Sequence, residues 1–273
     1  MNDSNLTYLE ALGFTRQPFD KELSLKHIFH SRQIRELFER LKLFLGRRGI
    51  AMVTGDIGAG KSTAIRAFTE KLESNLYDVA YIDDPTIGMR GILNSMAIQL
   101  NLEAGYFKWQ LLGKLKATIE KNFENYNKST LLIIDEAQLL TTKILEELRM
   151  FTNFKIDSQC PMNLLLMGQP ELKKIIRLNS MKALFQRINC RYHIAGLDES
   201  EMTDYMAHHL QIAGRTDKLF SDEVIYEIFQ QSQGIPRVIN NLSYECLLET
   251  VRLNKTMVEL ATLESVLIKL EIT

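Results

Sequence analysis

Apolar residues along the chain fall into short, nearly unbroken runs, and helical periodicity fills the stretches between them. The runs are Ile50-Ala51-Met52-Val53-Thr54, Val79-Ala80-Tyr81-Ile82-Asp83, Thr130-Leu131-Leu132-Ile133-Ile134-Asp135, Asn163-Leu164-Leu165-Leu166-Met167 and the short Arg191-Tyr192-His193-Ile194. Runs of this kind predict strands of a parallel sheet covered on both faces. A helix is predicted from Ser31, as its N-cap, to about Gly46, with Ile34, Leu37, Phe38, Leu41 and Leu45 on one face. Further helices are predicted after the first run, at Ile92–Leu102, at Phe107–Phe123 and at Leu145–Phe154. Five strands with helices between them make an α/β three-layer sheet. From Gly196 the strand signal stops, and helices near Glu199–Ala213, Asp222–Gln233, Pro236–Leu253 and Leu263–Leu270 predict a small all-α unit.

The turn after the first apolar run carries the chemistry. Gly55-Asp56-Ile57-Gly58-Ala59-Gly60-Lys61-Ser62, followed by Thr63, has the full G-x-x-x-x-G-K-[ST] spacing between a strand and a helix. Glycines let backbone N–H groups close around phosphate oxygens, and the helix start adds partial positive charge. Lys61 is expected to reach the β- and γ-phosphates, and the Ser62 hydroxyl to ligate Mg²⁺. The nucleotide-binding set is thus Gly55, Ile57, Gly58, Ala59, Gly60, Lys61, Ser62 and Thr63. Asp135-Glu136 closes the third apolar run and puts two carboxylates at the carboxyl edge of the sheet, where ligands of such sheets bind. Asp135 is read as the Mg²⁺ carboxylate and Glu136 as the group that polarises the attacking water. Gln169 follows the next buried strand, either beside the γ-phosphate or as part of a Gln169-Pro170 turn.

Composition sets limits around this. The chain has 273 residues, 45% hydrophobic and 25% charged, as ordinary globular proteins do. No apolar run approaches the ~20 residues of a membrane span, and the start Met1-Asn2-Asp3-Ser4-Asn5 does not read as a signal peptide. Cys160, Cys190 and Cys246 are isolated, which predicts buried thiols and no zinc framework. His27 and His30 read as surface-loop residues. The net charge of −1 confines any nucleic-acid contact to a local patch. Two segments are locally basic. Between Glu171 and Arg191 six cations face one carboxylate, and between Phe107 and Lys128 five face two. The lysines of the second segment, with Arg90, are expected to touch phosphates without reading bases.

Taken with Leu-Leu-Ile-Ile-Asp-Glu-Ala-Gln, Met-Gly-Gln-Pro-Glu-Leu, Gln-Arg-Ile and Gly-Ile-Pro-Arg-Val-Ile-Asn, the phosphate loop makes the chain resemble AAA+ ATPases of the ExeA/GspA and TniB/TnsC type. The resemblance runs from Pro18-Phe19 almost to the C-terminus. It implies a sheet ordered 5-1-4-3-2 with a helical lid, ATP and Mg²⁺ as cofactors, and ATP hydrolysis. It also implies a sensor role for Gln169, an arginine finger acting on a neighbouring subunit at Arg187 (or the nearby Arg191), and a lid sensor role for Arg237. The expected organisation is an N-terminal segment and first helix over 1–48 packing on the nucleotide domain, an ATPase core over 49–195 and a lid over 196–273. Implied partners are further copies of the chain in a ring or filament, double-stranded DNA and a transposase or integrase, in the cytoplasm and away from membranes. Two roles follow: a transposition helper that assembles on DNA, and a secretion-associated ATPase. Relatives with the second role continue into a transmembrane segment and a peptidoglycan-binding domain, so a chain stopping at Thr273 favours the first.

Overall fold

The five apolar runs are five parallel strands in the computed structural model, which describes residues 8–20, 24–155 and 160–270. Met1 to Asn5, on which the signal-peptide reading rests, lies outside these residues. The strands are β1 (Gly49–Gly55), β2 (Tyr77–Ile82), β3 (Ser129–Ile134), β4 (Met162–Gly168) and β5 (Ile188–Ile194), in the order β2-β3-β4-β1-β5. This is the expected 5-1-4-3-2 order. Every residue of β3 and β4 is buried, because helices cover both faces of a parallel sheet. Cutting back one such side chain, as in Leu132→Ala, costs about 2–5 kcal/mol.

Contacts divide the chain into two units. One comprises residues 34–57 and 61–194 and holds the sheet. Its helices are α1 (Arg32–Arg47), α2 (Lys61–Glu70), α3 (Gly88–Gln99), α4 (Lys108–Tyr126), α5 (Thr142–Phe151), α6 (Glu171–Ile176) and α7 (Lys182–Arg187), the first two residues of α1 grouping with the other unit. Helix α1 buries Leu37, Phe38, Leu41, Phe44 and Leu45, a stripe at helical spacing, and Phe38 meets Phe68 of α2 at 5.5 Å between ring centroids. Helix α5 starts where Thr141 Oγ1 accepts the Ile144 N–H, a side-chain cap for one orphan donor of the first turn. One apolar core joins β1, β3 and β4 to α3–α7, with Ile92, Leu93, Leu111, Leu115 and Leu184 among its fully buried members.

The other unit comprises residues 1–33, 58–60 and 195–273. Its helices are α8 (Glu199–Ile212), α9 (Asp222–Ser232), α10 (Pro236–Arg252) and α11 (Leu260–Lys269). The N-terminal segment packs here, contrary to the expectation that residues 1–48 lie on the nucleotide domain. Tyr8, Leu12, Phe14 and Phe19 are buried with Met206, Phe220 and Leu263. Thr15 N–H and Arg16 Nε donate to the carbonyls of Ala213 and Ile212, just past and at the end of α8, and Arg215 returns a bond to Leu12 O. An aromatic segment needs apolar cover, and the helical unit supplies it; only the helix from Ile34 onward joins the sheet.

Two smaller expectations also change. Cys246 is buried, but Cys160 and Cys190 are half-exposed. Of the five lysines between Phe107 and Lys128 expected to touch phosphates, three are engaged internally: Lys108 pairs with Glu147 at 2.5 Å, Lys128 with Asp78 at 2.6 Å, and Lys116 donates to Asn153 O. Among the described residues no helix is long and apolar enough to cross a membrane, and no three His, Cys, Asp or Glu side chains form a metal-holding group.

Candidate nucleotide site

Strands β1, β3 and β4 deliver their last residues to one edge of the sheet, and the expected site residues of this unit meet there. The loop leaving β1 turns through Gly58 and Gly60 at φ +85° and +88°, backbone that side-chain-bearing residues rarely adopt. Helix α2 begins directly at Lys61. Lys61 is 6% exposed, and its ammonium donates to Gly55 O at 2.8 Å and Asp56 O at 2.9 Å, so the lysine closes the start of its own loop. Thr63, next to Ser62, is exposed on the first turn of α2.

Asp135 follows β3 and is 6% exposed. Three donors hold its carboxylate: Glu136 N–H on Oδ1 at 2.8 Å, and on Oδ2 the hydroxyls of Ser62 at 2.8 Å and Tyr81 at 2.5 Å. All three are neutral groups. A buried carboxylate beside a hydroxyl, both hard oxygen ligands, is the donor chemistry that suits Mg²⁺, so the residues present fit that ion. Tyr81 went unassigned in the sequence. Burial, and then its bond to Asp135, push its pKa up, so it stays a hydroxyl donor at ordinary pH.

Glu136 takes a left-handed backbone, φ +47° and ψ +36°, at the head of a short 3₁₀ turn over Ala137–Leu139. That conformation costs a non-glycine residue about 1–2 kcal/mol. It separates the two neighbouring carboxylates, one facing Ser62 and the other facing Gln138 and Gln169. Gln138 Nε2 donates to Glu136 Oε2 at 2.5 Å, and Gln169 Nε2 donates to the same oxygen at 3.3 Å. Gln138 Oε1 in turn accepts the backbone N–H of Gln169 at 3.0 Å. Ser62, Asp135, Glu136, Gln138 and Gln169 are therefore linked by one chain of hydrogen bonds. Gln138 also escaped assignment, although it closes the run Asp-Glu-Ala-Gln.

Arg187 and Arg191 lie apart from this chain of bonds. Arg187 ends α7 at the opposite, amino-terminal edge of β5 and donates to Asn153 Oδ1. Arg191, within β5, donates to Phe185 O at 2.6 Å and lies 3.9 Å over the Phe185 ring. In the other unit, which includes Gly58–Gly60, Arg237 N–H donates to Gly58 O at 3.3 Å and the Arg237 side chain is exposed.

A second feature of the sheet unit is a cavity of about 260 Å³ lined by Lys173, Arg177, Phe185, Arg191 and His193. Burial and the neighbouring Arg177 lower the pKa of Lys173, and burial and Lys173 lower that of His193. Like charges are crowded here.

Residues 45–176 match the AAA domain. The chain is 30% identical over 244 residues to General secretion pathway protein A of Aeromonas hydrophila, covering 85% of this chain and 43% of that protein. It thus spans about two fifths of the length of that relative. Among solved structures it is similar to the Aeropyrum pernix ORC2 protein in ADPNP–ADP complexes, with a TM-score of 0.69 at 16% identity over 92% of this chain and 71% of that one. It is also similar to the Aeropyrum pernix ORC1 protein in complex with DNA, with a TM-score of 0.63 at 13% identity over 90% and 67%. The fold of this chain is that of the P-loop AAA+ ATPases, a five-stranded parallel sheet with flanking helices.

Proposed function

We propose that this chain is a Mg²⁺-dependent ATPase that works as an oligomer. The observation that carries the reading is the hydrogen-bonded line from Ser62 through Asp135 and Glu136 to Gln169. Backbone N–H groups of the loop from Gly55 through Ile57, Gly58, Ala59 and Gly60 to Lys61, Ser62 and Thr63 cradle the phosphates. Lys61 exchanges its loop carbonyls for β- and γ-phosphate oxygens. Ser62 and Asp135 would hold Mg²⁺, which would neutralise charge on the β- and γ-phosphates. Glu136 orients the attacking water and accepts its proton, with Oε2 fixed by two amides. Gln169 senses the γ-phosphate from the neighbouring strand end. Arg237 is the lid's sensor, and Arg187 is the finger offered to the next copy.

The similarity to a general secretion pathway protein favours a secretion-associated role over the transposition role. A transposase or integrase as partner rests on the sequence resemblance alone. Association with double-stranded DNA remains a second reading because of one observation, the crowded cations around the cavity beside β5.

The test is steady-state phosphate release and nucleotide binding on three proteins. Wild type releases phosphate in a Mg²⁺-dependent manner. Glu136→Gln keeps ATP bound and loses about 10²–10⁴-fold in kcat, the usual contribution of a general base. Lys61→Ala loses binding. Undiminished turnover by Glu136→Gln ends the assignment.

A further inference from the structure

Gln138 is the residue that the nucleotide-site roles leave without one, and its surroundings are specific. Its carboxamide uses both ends. The NH₂ donates to Glu136 Oε2 at 2.5 Å, and the oxygen accepts the Gln169 backbone N–H at 3.0 Å. Asparagine is a methylene shorter, glutamate lacks the donor and lysine lacks the acceptor, so glutamine meets both demands at once. The room for it is provided by Gly168, the last residue of β4. A Cβ at that position would lie 2.4 Å from Gln138 Oε1 and 3.3 Å from Gln138 N. Gly168 sits at an ordinary negative φ, so space, rather than backbone freedom, is what requires a glycine there.

We infer that Gln138 is a positioning residue for hydrolysis, resting on the ATPase reading above: it fixes the Glu136 carboxylate and ties it to the end of β4 that carries Gln169. Glu136 has an unusual backbone, and an unrestrained carboxylate on a left-handed residue would sample several rotamers. With Oε2 held by the amides of Gln138 and Gln169, Oε1 is left to face the water. The same carboxamide couples two elements. A shift of Gln169 on meeting a γ-phosphate pulls its N–H against Gln138 Oε1, and the strain passes to Glu136. Misplacing a reacting group by about 1 Å costs on the order of 10²-fold in rate.

The experiment compares kcat, KM and equilibrium ATP affinity for wild type, Gln138→Met, Gln138→Glu and Gly168→Ala. Methionine keeps the volume and removes both bonds. The expected result is a kcat lower by about 10- to 100-fold with ATP affinity within twofold of wild type. Gly168→Ala, which pushes the carboxamide away, follows the same pattern. Combining it with Gln138→Met costs little more than either alone, because both remove one arrangement. Gln138→Glu keeps the length but loses the donor to Glu136 Oε2, and it shows the same fall in kcat with ATP affinity kept. That variant also serves as the test if Gln138→Met fails to fold. Three results overturn the inference: Gln138→Met turning over within twofold of wild type, loss of ATP affinity in step with kcat, or Gln138→Glu turning over within twofold of wild type. A wild-type protein that binds ATP without hydrolysing it instead overturns the ATPase reading, and this inference with it.

Discussion

The Tyr81 hydroxyl donates to Asp135 Oδ2 at 2.5 Å, on the same oxygen that the Ser62 hydroxyl reaches at 2.8 Å. Tyr81 comes from β2, in register with Ile133 of β3, so the sheet pairing itself brings the phenol beside the residue that closes β3. Removing the hydroxyl leaves a nearly buried carboxylate with one donor fewer. Tyr81→Phe is expected to lower stability by about 1–3 kcal/mol in urea unfolding. It is also expected to raise severalfold the Mg²⁺ concentration needed for half-maximal ATPase activity, because Asp135 is then less well oriented. An unchanged unfolding midpoint together with an unchanged Mg²⁺ requirement rules this role out.

How much of this was legible in the sequence depends on what each residue's signal could carry. β3 and β4 are apolar at nearly every position, and such runs have one good reading. β5 was read as Arg191–Ile194 but begins at Ile188, because an edge strand exposes alternate side chains and Asn189, Arg191 and His193 interrupt the apolar pattern. The meeting of the loop with Asp135 and Glu136 at one sheet edge was legible because motif spacing places them just after β1 and β3. Tyr81 and Gln138 were not. Their roles depend on strand order and on a rotamer beside Gly168, neither of which spacing along the chain encodes. The N-terminal segment misled for a related reason: Phe14 and Phe19 announce burial without naming the surface that buries them.

In the helical unit Glu249 gathers charges. Its side chain is 5% exposed, and it accepts bonds from Arg252 of the same helix, α10, and from Ser265 and Lys269 of α11. The bonds from Arg252, and then from Lys269, lower its pKa from 4.5 to about 2. A depressed folded pKa gives stability that is whole above the unfolded value and is lost as pH falls toward the folded one. Glu249→Gln should therefore be less stable than wild type at pH 7, and the gap should close between about pH 4.5 and 2. Chemical denaturation at pH 7, 4 and 2.5 measures it. Equal stability at pH 7 would show that the two ion pairs contribute nothing.

Arg187 cannot serve the phosphate loop of its own chain. It directly precedes Ile188, which pairs with Ile50 at the start of β1, whereas Gly55 pairs with Ile194 at the far end of β5. Six strand steps separate the two levels, about 20 Å, well beyond the reach of one side chain. A catalytic Arg187 must therefore act on another copy. Arg187→Ala mixed with Lys61→Ala is expected to recover part of the wild-type rate, since some joints then pair an intact loop with an intact finger. Arginine fingers contribute about 10³–10⁵-fold, so even a minority of repaired joints is measurable. No recovery over a range of mixing ratios, or full activity of a monomeric protein, excludes action across subunits. Repeating the mixture with Arg191→Ala separates the two candidates, and the Arg191 stack on Phe185 predicts no recovery there.

The DNA reading now depends on different residues from those the sequence favoured. Lys108 and Lys128 on and after α4 are in ion pairs with Glu147 and Asp78, and withdrawing them from those partners would offset what a phosphate contact contributes. Lys173, Arg177, Arg191 and His193 face one cavity, and none of them takes part in an ion pair among the described residues. Crowded cations lose repulsion when an anion arrives, and each phosphate neutralised releases counterions. Binding to random duplex DNA should therefore weaken steeply with salt, and ATP should strengthen it where assembly multiplies weak contacts. Lys173→Glu with Arg177→Glu should lower the slope of log affinity against log salt by about 2 at every DNA sequence, the mark of phosphate contacts. Lys108→Ala should leave that slope unchanged. Fluorescence anisotropy with and without ATP reads all of these, and a salt-insensitive signal, or a slope that falls with Lys108→Ala and not with the double variant, removes the cavity from any role in holding DNA.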